Sequence, residues 1–116
     1  LLVILGWAAL GMAAYNAYLR GRQLQANRNS ADLEQALAEF TRATELDPNY
    51  ALAWVGVAES SNLLSGYGTS SITESLVTEE NAINRALEIN PANSPARRGL
   101  EEIERLEQEA SRNHKN

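Results

Sequence analysis

Apolar residues in the middle of the chain recur every three or four positions, which is the spacing of one face of an α-helix. Proline lacks a backbone donor and disfavours helix in the residue before it, so Pro48 is expected to divide this region into two helices. The first apolar stripe comprises Leu33, Ala36, Leu37, Phe40, Ala43 and Leu46, and the second comprises Trp54, Val57, Ala58, Ser61 and Leu64.

The same pattern occurs a second time. The sequence AEFTRATELDPNYALAWVGVAE, residues 38–59, is echoed by NAINRALEINPANSPARRGLEE, residues 81–102, and Pro91 stands where Pro48 stands in the first copy. Internal repetition of a helix, a break and a second helix is typical of solenoid proteins. We therefore predict an all-α fold in which neighbouring helices are antiparallel, with helices over residues 1–28, 31–46, 50–64, 72–89 and 95–110.

Polar residues at the predicted helix boundaries suit the role of caps. Ser30 and Asn49 are expected to cap the second and third helices. A Gly/Ser-rich loop, SGYGTSS over residues 65–71, precedes the fourth helix, which Ser71 and Glu74 are expected to open as a capping box. The last helix is expected to cap the whole fold by burying Ala96, Leu100, Ile103 and Leu106.

These residues resemble the tetratricopeptide repeat, whose unit of roughly 34 residues places small or aromatic residues at set positions of a helix pair and a proline near the end. Residues 14–54 look further like the variant of this repeat attached to bacterial adenylate cyclases and membrane-bound winged-helix regulators. The resemblance implies a solenoid domain over residues 14–110, of about two repeats plus a capping helix. The matching residues are Ala36, Phe40, Ala43 and Pro48 in the first unit, then Trp54, Val57 and Ala58, with Ile83, Ala86 and Pro91 closing the second.

The chain departs from the repeat pattern in its second half. The distance from Pro48 to Pro91 exceeds one repeat, and the Gly/Ser-rich loop absorbs the excess. Glu79 occupies a position where the family usually has alanine. The resemblance is therefore weakest in the helix over residues 72–89.

The resemblance also implies a functional surface, because in this family the first helix of each pair lines the concave side. A mixture of apolar and charged groups on that side suits an amphipathic helix or an extended peptide. The implied function is a non-catalytic protein–protein interaction scaffold with a protein or peptide partner. The residues expected on the concave face are Tyr18, Arg22, Gln25, Leu52, Val55, Glu59, Asn62, Arg98, Glu102 and Arg105.

Residues 1–19 contain no charge and are followed at once by Arg20 and Arg22. Their strongly apolar part, residues 1–15, would rise roughly 22 Å as a helix, which is short for a membrane span of about 20 residues. We expect a long hydrophobic N-terminal helix whose first part, residues 1–13, serves as a membrane anchor or an assembly helix. The residues assigned to this assembly or membrane helix as a whole are Leu1, Leu2, Ile4, Leu5, Trp7, Ala9, Leu10, Ala13 and Ala17.

Small residues recur every four positions at Ala9, Ala13, Ala17 and Gly21, forming a ridge that permits close helix approach. One interpretation is an ordinary buried face of an alanine-rich helix, and the other is a seam between copies of the chain. Type IV pilins are similar in having a hydrophobic N-terminal helix that leads into a headpiece, although they typically carry glutamate where this chain has Leu5. The alternative function is therefore a structural subunit of a pilin-like filament or other homopolymer.

Composition narrows the function further. A net charge of −5 disfavours a nucleic-acid partner, which would need a basic stripe, and the absence of cysteine excludes thiol chemistry. The one histidine, His114, lies in the polar tail over residues 111–116. We expect no catalytic residue, no cofactor, no metal site and no small-molecule substrate.

The predicted location is at a membrane or outside the cytoplasm, in the periplasm or on the cell surface of a bacterium. This follows from the apolar N-terminus and from the resemblance to repeats of membrane-bound regulators. Arg20 and Arg22 favour the cytoplasmic side if the N-terminal helix spans a membrane, and that side stays an alternative.

Overall fold

The computed structural model describes residues 2–68 and 71–114, and the side chains of residues 9–68 and 71–113. In these ranges the chain is all-helical, without strands, as the sequence predicts. Its five helices are α1 (Leu2–Ala26), α2 (Ser30–Leu46), α3 (Ala51–Gly66), α4 (Ile72–Ile89) and α5 (Ser94–His114). The boundaries lie close to the predicted ones, except that α5 continues to His114 instead of ending near residue 110.

Each helix packs against the one before it, because short turns fold the chain back on itself. In addition α1 contacts α3, and α3 contacts α5, so that the first, third and fifth helices follow one another along one side of the molecule. The principal dimensions are 64 × 31 × 19 Å. This layout places alternate helices on a shared surface.

Phe40, whose side chain is fully buried, lies in close contact with two neighbouring helices. Gly21 of α1 and Gly56 of α3 both lie against its ring. A Cβ atom built on Gly21 would lie 2.7 Å from Phe40 Cε1, and one built on Gly56 would lie 2.5 Å from Phe40 Cδ1. Only glycine therefore allows the backbones of α1 and α3 to approach the ring this closely.

The same contact recurs in the second half of the chain. Ile83 of α4 and Gly99 of α5 follow Phe40 and Gly56 at the offset that separates Pro91 from Pro48. A Cβ atom on Gly99 would lie 2.6 Å from Ile83 Cδ1. The sequence repeat is thus a repeat of packing.

The corner between α2 and α3 is built by an Asx turn. The Asp47 amide donates to the Ala43 carbonyl at 2.9 Å, which ends α2. Asp47 Oδ1 then accepts the Asn49 amide at 3.1 Å. The half-buried indole of Trp54 donates from Nε1 to the Pro48 carbonyl at 2.9 Å and fixes the start of α3 on the turn.

The corner between α4 and α5 has matching bonds. The Asn90 amide donates to the Ala86 carbonyl at 2.9 Å, and Asn90 Oδ1 accepts the Ala92 amide at 3.1 Å. Arg97 Nε donates to the Pro91 carbonyl at 2.6 Å, in the place that Trp54 takes at the first corner. The two corners therefore share one geometry.

The N-termini of α2 and α3 differ from the prediction. Asn29, not Ser30, caps α2, because its Oδ1 accepts the Asp32 amide at 2.9 Å. The left-handed backbone of Arg28, with φ of 53°, puts Asn29 in the extended conformation that a cap requires. The residue preceding α3 is Tyr50, which makes no side-chain cap, so Asn49 does not cap this helix.

The cap of α4 is the predicted one, since Ser71 Oγ accepts the Glu74 amide at 3.1 Å. At the other end of the chain, Ala96 and Ile103 are buried and Leu100 is half-buried, as expected of a capping helix. The prediction for Leu106 is wrong, because this residue is 38% exposed. All described side chains of α5 after Ile103 are exposed, so only the first half of α5 covers the core.

Replacing either glycine at the Phe40 ring should destabilise the fold. Gly21→Ala and Gly56→Ala each force the ring or a helix to move, an overpacking cost of roughly 1–3 kcal/mol that exceeds the gain of about 1 kcal/mol in helix propensity. Gly11→Ala is the matched control, since nothing lies within 4 Å of its Cβ position, and it should stabilise α1. Urea unfolding of the three variants measures the difference, and equal stabilisation by all three would contradict this account of the packing.

Candidate functional site

An open groove of about 590 Å³ lies on the side of the molecule shared by α1, α3 and α5. In the described part of the chain α1 and α5 do not contact each other, so they form two separate walls, with α3 and two residues of α4 between them. We call this cavity the groove. Its lining residues are Arg22, Gln25, Ala26, Arg28, Val55, Ala58, Glu59, Asn62, Leu63, Glu79, Ile83, Pro95, Ala96, Arg98, Gly99 and Glu102.

Most of the residues expected on the concave face line this groove. The structure brings together side chains from three helices that are distant in sequence. Of the sequence observations, only the resemblance to the repeat family implied this grouping. The expected residues found in the lining are Arg22, Gln25, Val55, Glu59, Asn62, Arg98 and Glu102.

Tyr18 is not in the groove but packs in the core. Its ring lies 5.7 Å from that of Phe40 and 5.2 Å from that of Tyr50, measured between centroids. Residues three apart share a helix face, so the rotation of α1 that places Gly21 on Phe40 also turns Tyr18 inward.

Leu52 and Arg105 lie beyond the two ends of the groove. Leu52 is 47% exposed in the first turn of α3, before the lining begins. Arg105 lies one turn after Glu102 and forms ion pairs with Glu102 and Glu109 on the surface of α5.

The wall of the groove on the α1 side is held by polar side chains of α1 that bond to α3. Glu59 Oε2 accepts hydrogen bonds from Gln25 Nε2 at 3.2 Å and from Arg22 Nη1 at 3.4 Å. Arg22 Nη1 also donates to Gln25 Oε1 at 3.1 Å, which closes a three-membered network. Because Arg22 and Glu59 remain about half exposed, their ion pair adds at most about 1 kcal/mol to stability and positions the wall rather than holding the fold.

The base of the groove is apolar. Val55 and Ala58 of α3, Ile83 of α4 and Ala96 of α5 are all buried and belong to the main hydrophobic core. The base of the groove is thus continuous with the core, and an apolar side chain placed there would extend the core.

Glu79 is the unusual residue of this base. It is only 6% exposed, and both of its carboxylate oxygens accept from Asn62 Nδ2, at 3.3 and 3.4 Å. Burial raises the pKa of Glu79 above its ordinary value, the negative charge of Glu102 adds to this rise, and the hydrogen bond from Asn62 opposes it. Its carboxylate is therefore held at a cost in free energy.

Arg28 is a groove residue that sequence reasoning missed. Its backbone is in the left-handed region, which few residues other than glycine adopt. Its carbonyl accepts the Tyr67 hydroxyl at 2.6 Å, which ties the turn after α1 to the end of α3. Nothing in the local sequence signals this role, because the bond joins residues far apart in the chain.

The other lining residues that the sequence did not indicate are mainly two residues of α4 and several residues with small side chains. Glu79 carried a signal, since it replaces the alanine of the repeat pattern, whereas Ile83 was assigned only to packing. The remaining missed residues are Ala26, Ala58, Leu63, Pro95, Ala96 and Gly99.

The second half of the small-residue ridge, Ala17 and Gly21, packs against other helices of the same chain. Ala17 is fully buried and packs with Ala43 and Ala53, and Gly21 lies on Phe40. Ala13 is half-buried, while Ala9 is exposed. The side chains of Leu1, Leu2, Ile4, Leu5 and Trp7, also assigned to the assembly or membrane helix, lie outside the described residues.

α1 nevertheless shows apolar side chains to solvent, with Met12 68% exposed and Leu10, Tyr15 and Leu19 also exposed. Over the described residues, no helix is both long enough and apolar enough for a membrane crossing. The same residues contain no group of three or more histidine, cysteine, aspartate or glutamate side chains arranged to hold a metal ion.

No protein-family model matches the sequence, and no curated protein and no solved structure is detectably similar to it. The groove and its chemistry are therefore the basis on which a function is assigned.

The burial of Glu79 predicts a specific pH dependence of stability. Because the pKa of Glu79 is raised in the folded state, its charged form destabilises the fold above that pKa, and the cost disappears as the pH falls through it. Glu79→Gln keeps the shape and can still accept from Asn62. The variant should be at least as stable as the natural chain at pH 7, and its advantage should shrink in acid.

Unfolding free energies measured between neutral and acidic pH test this prediction. Glu80→Gln is the control, because Glu80 is the exposed neighbour of Glu79 on α4 and its replacement should leave the curve unchanged. A loss of stability in Glu79→Gln at pH 7 would show that the carboxylate stabilises the fold instead.

Proposed function

We propose that this chain is a non-catalytic interaction module that holds a segment of another protein, helical or extended, in the groove. The proposal rests on the groove itself, where an apolar base continuous with the core lies between polar walls from α1 and α5. This combination suits an amphipathic segment, whose apolar side chains enter the base while its polar side chains meet the walls.

The repeated packing supports a relationship to the tetratricopeptide repeat. The two proline corners have the same pattern of hydrogen bonds, and the Phe40–Gly56 contact recurs as Ile83–Gly99. Stacked helix pairs of this kind form extended concave surfaces that bind partners without catalysis. Under this proposal the chain is a short member of that class, with the groove as its partner site.

Peptides selected from a random library displayed on phage provide the direct test. Peptides that bind the intact chain should lose affinity by about tenfold or more in Asn62→Trp, because Asn62 lines the groove and an indole there takes space that a bound peptide needs. Affinities from isothermal titration measure the loss.

Glu34→Trp is the matched control, since it places the same indole on the exposed face of α2, outside the groove. Binding that is equally strong in Asn62→Trp and Glu34→Trp would contradict the proposal, as would a selection that yields no binding peptide.

The exposed apolar side chains of α1 favour a second candidate function, a subunit of a homopolymer assembled through the N-terminal helix. Met12, Tyr15 and Leu19 follow one another at helical spacing and face away from the core. Soluble monomers rarely keep contiguous apolar patches uncovered.

Sedimentation velocity of the intact chain tests this second candidate. If copies associate through α1, the double variant Met12→Lys and Tyr15→Lys should dissociate them, since two charges would be buried in the contact. Leu52→Lys is the control, because Leu52 is equally apolar and exposed but lies on α3. An intact chain that sediments as a monomer at all concentrations would rule out assembly.

A further inference from the structure

Three carboxylates line the groove, and they differ in how they are neutralised. Glu59 and Glu102 each form an ion pair with an arginine. Glu79 has no arginine or lysine within ion-pair distance in the described part of the chain. Its carboxylate accepts hydrogen bonds from the neutral amide of Asn62, at 3.3 and 3.4 Å. The most buried of the three carboxylates is therefore the one without a counter-ion.

The internal repeat shows that the fold does not need a carboxylate here. Glu79 follows Ala36 at the offset that separates Pro91 from Pro48, and Ala36 is fully buried without any polar group. A buried carboxylate with no cation lowers stability compared with an apolar residue. Glu79 thus occupies a packing position at a cost that a cation from another molecule would remove.

The surroundings of Glu79 fit the side chain of lysine or arginine. Val55, Ala58 and Ile83 form an apolar base that can contact the aliphatic stem of such a side chain. Glu102 lies close enough to act on Glu79 electrostatically, but Arg105 already pairs with Glu102, so Glu79 is the carboxylate left for a cation from a partner to neutralise.

We propose that the groove recognises its partner through one basic side chain, which inserts along the apolar base and forms an ion pair with Glu79. This inference rests on the proposed function and names the chemistry of the occupant. Arg98 also lines the groove and forms no ion pair within the described residues. Its charge repels a run of basic residues, so the occupant is a polypeptide segment with an isolated lysine or arginine.

A titration with n-butylammonium, followed by amide NMR on the intact chain, tests the cation site directly. This probe is the end of a lysine side chain, with n-butanol and butyrate as its neutral and anionic counterparts. It should shift the amides of Asn62, Glu79 and Ile83 in a saturable way and bind at least about fivefold more tightly than either counterpart. It should also lower the pKa of Glu79, read from the carboxyl carbon.

Glu79→Gln should reduce n-butylammonium binding to the level of n-butanol, whereas Glu80→Gln should leave it unchanged. Equal binding of the ammonium and the alcohol, or undiminished binding to Glu79→Gln, overturns the inference. The pKa of Glu79 is measured on the natural chain, so this readout does not depend on the folding of the variant.

Peptides that bind in the groove supply the second test. Replacing each of their basic residues in turn by norleucine should reveal one whose loss weakens binding to the natural chain about tenfold, and hardly changes binding to Glu79→Gln. Groove-dependent peptides that bind without a basic residue overturn the inference and leave the proposed function standing. If no peptide binds in the groove, the proposed function fails, and the n-butylammonium titration still decides whether Glu79 binds a cation.

Discussion

The contact of one aromatic ring with two glycines determines how the first three helices are arranged. Phe40 of α2 is fully buried between Gly21 of α1 and Gly56 of α3, at distances that leave no room for a Cβ atom on either. Because α1 and α3 both lie against this ring, they also contact each other on one side of α2. That arrangement makes α1 a wall of the groove and α3 part of its base, so the candidate site depends on a contact outside its own lining.

The second repeat completes the groove by the same means with a different side chain. Ile83 takes the place of Phe40 and Gly99 that of Gly56, which brings α5 against α4 and makes it the opposite wall. Among the described positions that are buried in both repeats, only one changes from an apolar to a charged residue, where Ala36 of the first repeat corresponds to Glu79. The other positions buried in both repeats stay uncharged, whereas this one brings a charge to the base of the groove. This contrast is why Glu79, rather than the ion-paired Glu59, is the residue to which we assign partner recognition.

The number and limits of the helices were predictable because the signals for them are local. Pro48 and Pro91 disfavour helix in the residue before them, so a helix ends ahead of each, and the apolar stripes have helical spacing. The cap of α2 was not predictable, since the left-handed conformation of Arg28 moves the helix start to Asn29. Most of the residues that the resemblance to a repeat family implied for one face line the groove.

The sequence by itself determined the all-α fold, the two corners and the internal repeat, because each depends on residues within a few positions of one another. Only the tertiary structure decided the rotation of the helices about their axes. That rotation turns Tyr18 into the core, leaves Leu106 exposed and buries Glu79 at the base of the groove. It is set by contacts such as that of Phe40 with its two glycines, between residues whose proximity no local pattern reveals.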